Sequence, residues 1–334
     1  MEQSALTVEQ LTEPWIGAYL KTRNSMFTAV SAAYIARTMT DSPLRFPVRH
    51  YIARDEREVA AFAGFYLRPL HLASGLTVTV ALACAIGTNP AYQRQGLGRK
   101  VWQCAEQELA GVADGVVIYT GYGSTGFKFY QAMGYETLCL PGQFDVVPDG
   151  LTAAGAVTTP LTDAGDFQSQ ADALFRSCYE SYGGYIERDP GNSARWGRTS
   201  FFYDPEIVGA VPQLSRVSRP DGTLAAYAVW SGPMTKVGWK KNAVELWEIA
   251  GCPDVSTHEL AALLAPAASA ALAGGGRLTG WYGPAQWLRE RLKPLGVQDL
   301  PPNLVVLGKW FEGKRPEGGF PGSERWGYFA SEYI

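Results

Sequence analysis

Apolar positions between residues 13 and 39 recur at helical spacing, Trp15 and Tyr19 in one run and Phe27, Val30 and Tyr34 in a second, and predict two helices. From Val48 to Thr88 the period drops to two. The segment VRHYIARDEREVAAFAGFYLRPL reads as two alternating runs hinged at the charged RDER, and the β-branched LTVTVALACAIGT after it as a third strand. Helical spacing then returns: Leu97, Val101, Ala105 and Leu109 share one face over residues 97 to 111, with Glu106 and Glu108 towards solvent. GVVIYTGY (115 to 122) predicts a short buried strand, and STGFKFYQAMGY a helix opened by Ser124 and stopped by Gly134.

Gly, Pro, Thr and Ala crowd residues 141 to 162 and mark a boundary. Beyond it the order partly repeats, with a helix near 166 to 181, strands near 223 to 231 and 243 to 250, a long Ala/Leu helix at 256 to 273, the strand RLTGWYG and the helix AQWLRERLKPLG. The expectation is an α+β (mixed α/β) chain in which two domains, 1–145 and 155–334, each place a mixed sheet among helices, with at least one crossover joining parallel strands. A length of 334 residues suits two domains.

Composition removes several function classes. A net charge of −3 with no basic stripe argues against a nucleic-acid partner. Five scattered cysteines (Cys84, Cys104, Cys139, Cys178, Cys252) read as reduced thiols in a cytoplasmic protein, and three distant histidines (His50, His71, His258) give no metal-ligand spacing. The start MEQSALTVEQLTEPW has neither a basic nor an apolar leader region, and no run of roughly 20 apolar residues spans a bilayer, so no membrane partner is expected.

The chemistry concentrates in NPAYQRQGLGRK, residues 89 to 100. A GxxxxGK[ST] phosphate loop is absent, because Lys100 is followed by Val101 and no first glycine is in place. A GxGxxG dinucleotide turn is absent too, because Val101 stands where its third small residue belongs. What remains is Gln93-Arg94-Gln95-Gly96-Leu97-Gly98, directly after a strand and opening a helix. Glycines allow close backbone approach, and a helix N-terminus offers N–H groups and positive potential, which suits a pyrophosphate. A tight strand-to-helix turn with no ligand is the other reading of the same residues.

This pattern resembles the coenzyme-A motif of the GCN5-related N-acetyltransferase (GNAT) superfamily. The run Thr88-Asn89-Pro90-Ala91-Tyr92-Gln93 matches the family's strand end, and Tyr130-Gln131-Ala132-Met133-Gly134-Tyr135 its Y-x-x-x-G-F/Y helix. The resemblance implies a tandem acyl-CoA N-acyltransferase fold and acetyl-CoA as cosubstrate, with no metal. Ile86, Gly87 and Thr88 would meet the acetyl and pantetheine part, and Gln93, Arg94, Gln95, Gly96, Leu97, Gly98 and Arg99 would cradle the pyrophosphate. Thr125 and Gly126 would lie against the coenzyme, and Tyr130 would be the general acid. Gly123 occupies the place of an asparagine common in the family, and the glutamate that many members keep on the preceding strand is missing.

The tandem layout is similar to that of the Eis-type N-acetyltransferases, which join an intact and a degenerate domain and use a C-terminal carboxylate as base; that places Ile334 in the role. Expected activity is acetyl transfer to a primary amine of a small molecule. An acyl-CoA sensor or pseudoenzyme and an acetyltransferase of protein N-termini stand as alternatives, and the oligomeric state is open, a homo-oligomer included. Glu187 and Asp189 in the loop Tyr182 to Trp196, with Glu245 and Glu248, are candidates to attract an ammonium group.

Overall fold

The computed structural model describes residues 6–40, 48–72, 75–146, 151, 155–163, 167–179, 181–186, 205–236, 243–281 and 286–317. The first half runs β1 (Thr7–Gln10), α1 (Ile16–Asn24), α2 (Ala32–Thr40), β2 (Val48–Arg54), β3 (Val59–His71), β4 (Thr77–Thr88), α3 (Leu97–Leu109), β5 (Gly115–Gly121), α4 (Thr125–Ala132), β6 (Glu136–Cys139) and β7 (Gln143–Val146). The second half runs β8 (Val157–Pro160), α5 (Phe167–Tyr179), β9 (Tyr185–Ile186), α6 (Pro205–Val208), β10 (Gln213–Ser218), β11 (Leu224–Ser231) and β12 (Val244–Gly251). It ends with α7 (Thr257–Ala273), β13 (Leu278–Trp281), α8 (Gln286–Leu292), β14 (Val297–Leu300) and β15 (Leu304–Trp310). The two early helices, the hairpin, the long third strand and the helix that Ser124 opens all form as the apolar spacing predicts; Ser124 Oγ accepts the Phe127 N–H at 3.1 Å.

Two mixed sheets result, ordered β1-β2-β3-β4-β5-β15-β6 with β9 on β3, and β14-β7-β13-β12-β11-β10-β8. Among the described residues each contains one parallel pair, β4 with β5 and β12 with β13. The chain exchanges one strand between the two: β15, near the C-terminal end, lies antiparallel between β5 and β6. Strand β7 lies antiparallel between β13 and β14. The stretch that composition marks as a boundary therefore supplies sheet strands, and Phe144 and Val146 within it are buried.

Helix α3 packs on one face of the first sheet through Leu97, Val101, Trp102, Ala105 and Leu109, all buried. Helices α1 and α2 cover the other face, where one continuous core joins Tyr19, Phe62 and Tyr66 to Phe175, Tyr179 and Trp247 of the second half. Such a shared core holds the two sheets together through apolar burial. No helix among the described residues is long and apolar enough to cross a membrane.

Candidate active site

The parallel pairing of β4 with β5 covers only Val80–Ala83 against Gly115–Ile118, and beyond it the two strands part. At the parting, β4 is bulged. Its register with β3 jumps from Gly64↔Cys84 to Phe62↔Gly87, and Ala85 takes a left-handed φ of 44°. A non-glycine residue there costs of order 1–3 kcal/mol and is held only by its surroundings. The bulge re-aims the backbone of Ile86, Gly87 and Thr88, which are half-buried at the mouth of the opening.

Next along the chain, Asn89 Oδ1 accepts the Ala91 N–H at 3.1 Å and starts a short turn over Pro90–Tyr92. The Tyr92 hydroxyl donates to Asp55 at 3.0 Å and to Glu58 at 2.7 Å, tying that turn to the β2–β3 hairpin. The hydrogen bonds to Glu58, then desolvation and Asp55, push the Tyr92 phenol well above its ordinary range, so it is a fixed donor.

Arg94 (φ 64°) and Gly96 (φ 74°) are both left-handed, on either side of Gln95, a backbone form that gathers successive N–H groups into a concave row. Gly96 caps α3 with no side-chain hydrogen bond and no acid in the first turn. The first backbone bond of the helix is Lys100 N–H to Gly96 C=O at 3.1 Å, which leaves the preceding N–H groups directed out of the helix end. Gln93, Arg94, Gln95, Gly96, Arg99 and Lys100 are exposed around it. Gly98 meets the end of β4: a Cβ there would lie 3.2 Å from Thr88 Oγ1, a tight contact that glycine avoids where helix and strand come this close.

Tyr130 is buried beneath this junction, its ring 5.0 Å from Trp102 of α3, 5.2 Å from Phe129 and 5.9 Å from Tyr135. Phe127, the neighbour that helical spacing offers it, pairs instead with Tyr122. A polar chain fixes the floor. Trp102 Nε1 donates to the Tyr135 hydroxyl at 3.1 Å, which donates to Glu106 at 2.7 Å, and Lys309 of the exchanged strand pairs with Glu106 at 3.0 Å. Gly126 of α4 lies against Thr120, and a Cβ on it would stand 3.7 Å from the Tyr130 ring. Thr125 is exposed at the start of the same helix.

Residues 47–137, which carry all of these features, match the model of the acetyltransferase (GNAT) domain. They form a GNAT acetyltransferase domain. No curated protein matches the chain in sequence. Among solved structures it is similar to a GCN5-related N-acetyltransferase from Anabaena variabilis, at 13% identity and TM-score 0.63 over 92% of this chain and 73% of that one. A tandem GNAT protein from the clavulanic acid biosynthesis pathway is similar at 14% identity and TM-score 0.61, over 93% and 99% of the two chains. Eis1 from Mycobacterium abscessus is similar at 14% identity and TM-score 0.52, over 90% and 73%. These likenesses extend the tandem GNAT fold across both sheets.

On the α1 face of the GNAT sheet, sequence reasoning passed over a buried group that the structure reveals. The His50 ring is tilted against Tyr19, with Nδ1 3.3 Å from its hydroxyl, and Nε2 is buried without a hydrogen-bond partner. Gly64 makes room, since a Cβ there would lie 2.8 Å from Cys84 Sγ and 2.9 Å from His50 Nδ1. Burial, then the nearby Arg23 guanidinium, lowers the His50 imidazole to about 3, and burial lifts the Cys84 thiol to about 12. Both are neutral near pH 7, and His50 is a poor proton acceptor there.

The carboxylates Glu245 and Glu248 are not positioned for an ammonium group. Both are buried in the second unit, Glu245 accepting from Trp281 Nε1 at 2.9 Å and Glu248 from the Tyr227 hydroxyl. Glu187, Asp189, Trp196 and Ile334 lie outside the described residues. Among the described residues no cluster of His, Cys, Asp and Glu is arranged to hold a metal ion.

Proposed function

We infer that the chain transfers an acetyl group from acetyl-CoA to a primary amine of a small molecule. The observation that carries this reading is the uncapped N-terminus of α3, with two left-handed residues before it, set against the bulged end of β4. That cradle fits a pyrophosphate: outward N–H groups, positive potential and no acid of its own. Gln93 to Arg99 would hold the diphosphate, and Thr125 and Gly126 would lie along the coenzyme.

Acetyl-CoA supplies a thioester carbonyl for the amine to attack. Backbone N–H groups at Ile86 to Thr88 would face its oxygen, an arrangement whose removal typically costs about 2.7–4 kcal/mol. The Tyr130 hydroxyl would donate the proton that the departing sulfur takes up. Strand β4 carries no acid and burial makes His50 a poor proton acceptor, so the base comes from elsewhere; the Ile334 carboxylate is the proposal for it. The missing acid on β4 also favours a second reading, a coenzyme-binding protein without turnover.

A mass-spectrometric screen of primary amines with acetyl-CoA tests the assignment. Acetylated product with stoichiometric release of free CoA is expected; tight CoA binding with no product from any amine would select the second reading.

A further inference from the structure

Along the end of β4 the side chains alternate. Ile86 packs with the α3 face, Thr88 meets Gly98 of α3, and Gly87 between them opens to the α1 face. Its φ lies outside the left-handed range, so no turn requires a glycine there. Space does. A Cβ on Gly87 would stand 2.8 Å from Phe62 Cζ and 2.9 Å from Met26 Cε, so the tips of two side chains already fill the place.

Behind those tips the packing is closed. The Phe62 ring meets Tyr19 edge-on at 5.3 Å, Tyr19 meets His50 at 5.2 Å, and Tyr19, Phe62, His50 and Cys84 are all buried. On the outer side Phe27, 41% exposed, meets Phe62 edge-on at 6.1 Å. Phe62 is held by the sheet, and Met26 sits in the turn that follows α1, where its N–H donates to Arg23 C=O at 3.0 Å.

A coenzyme whose diphosphate sits at the N-terminus of α3 reaches β4 from the α3 face, so anything beyond its sulfur points through the opening towards Gly87 and the α1 face. We propose that Phe62 and Met26 form the wall that sets the length of the acyl group, restricting the site to acetyl and closely similar short acyl-CoA thioesters. This rests on the coenzyme reading above. Among the described residues Tyr19 and His50 occupy the space behind Phe62. A longer chain has to displace a ring or a methionine from close packing, whereas an acetyl group ends before reaching them.

Calorimetric titration of the full chain with CoA, acetyl-CoA, butyryl-CoA and hexanoyl-CoA tests the wall without needing the acceptor. Wild type is expected to bind hexanoyl-CoA about tenfold or more weakly than acetyl-CoA, the order that overfilling a packed space costs. Phe62→Ala, or Met26→Ala where the first variant does not fold, is expected to narrow that gap to about twofold while leaving the affinity for CoA itself unchanged. Equal wild-type affinity for acetyl- and hexanoyl-CoA overturns the wall and leaves the coenzyme reading intact, as does an unchanged gap in both variants. Failure of the wild type to bind CoA at all overturns both.

Discussion

The strand-to-helix junctions of the two units, β4 to α3 and β12 to α7, occupy the same place in their sheets and differ in what fills them. At the first, β4 ends in the small run Ala85-Ile86-Gly87-Thr88 and α3 begins on an uncapped Gly96. At the second, β12 is bulged too, its register with β11 jumping from Val229↔Glu248 to Trp230↔Leu246, but Trp247 and Glu248 fill the bulge and are buried. Trp247 Nε1 donates to Ser231 Oγ at 2.6 Å.

Helix α7 then occupies its own N-terminus. Ser256 Oγ accepts the Glu259 N–H at 3.1 Å and the Glu259 carboxylate accepts the Ser256 N–H at 2.7 Å, while Arg219 pairs with Asp254 at 2.8 Å. An internal carboxylate stands where α3 leaves an open, positive end. The helices that follow differ as well: Tyr130-x-x-x-Gly134-Tyr135 in the first unit corresponds to Leu292-x-x-x-Gly296-Val297 in the second, both glycines left-handed. The difference between an open cradle and a plugged one is a matter of a few side chains on one shared backbone plan.

Exchanging those side chains breaks the comparison in graded steps. Tyr130→Phe is expected to lower kcat by about a hundredfold or more, the usual scale for losing a proton donor, with acetyl-CoA affinity nearly unchanged. Steady-state kinetics on a proven amine acceptor checks it, and intact turnover would remove the donor role. Gly96→Val forces a β-branched residue into a left-handed φ at a cost of roughly 1–3 kcal/mol, so CoA affinity should fall about ten- to a hundredfold.

Effects in the second unit should be smaller and confined to stability. Ser256→Ala removes the α7 cap and is expected to cost about 1 kcal/mol in denaturant unfolding without altering CoA binding. Backbone hydrogen bonding to Ser256 is the largest of the influences that hold Glu259 below its usual carboxylate range. A depressed folded pKa contributes stability above the unfolded pKa and loses it as pH falls through the folded one. The penalty of Glu259→Ala, which removes the carboxylate itself, should therefore be full at neutral pH and shrink on acidification through the carboxylate range; a penalty growing towards low pH would contradict the cap.

Most elements of the first unit were legible because their periodicity is local: the hairpin alternates, and α3 repeats an apolar residue every fourth position from Leu97. The turn proposed to cradle the coenzyme was conspicuous in the sequence for the same reason, since its glycines and the tyrosine helix lie close together along the chain. The strand exchange was not. Leu304 to Trp310 and Gln143 to Val146 are ordinary short strands, and nothing within either segment says which sheet it joins; that is decided by partners far away in sequence, such as Tyr119 opposite Val306. The His50 and Cys84 contact was hidden likewise, because residues of two outer strands meet over Gly64 of the strand between them. Glu245 and Glu248 misled the reading, since sequence shows a carboxylate but not the tryptophan and tyrosine donors that satisfy it.

Of the two junctions only β4 to α3 is proposed to hold the coenzyme, and isothermal titration calorimetry reads how many CoA molecules one chain binds. A single CoA per chain is expected, weakened by Gly96→Val and untouched by Ser256→Ala. Two CoA per chain, or wild-type affinity persisting in Gly96→Val, would contradict it.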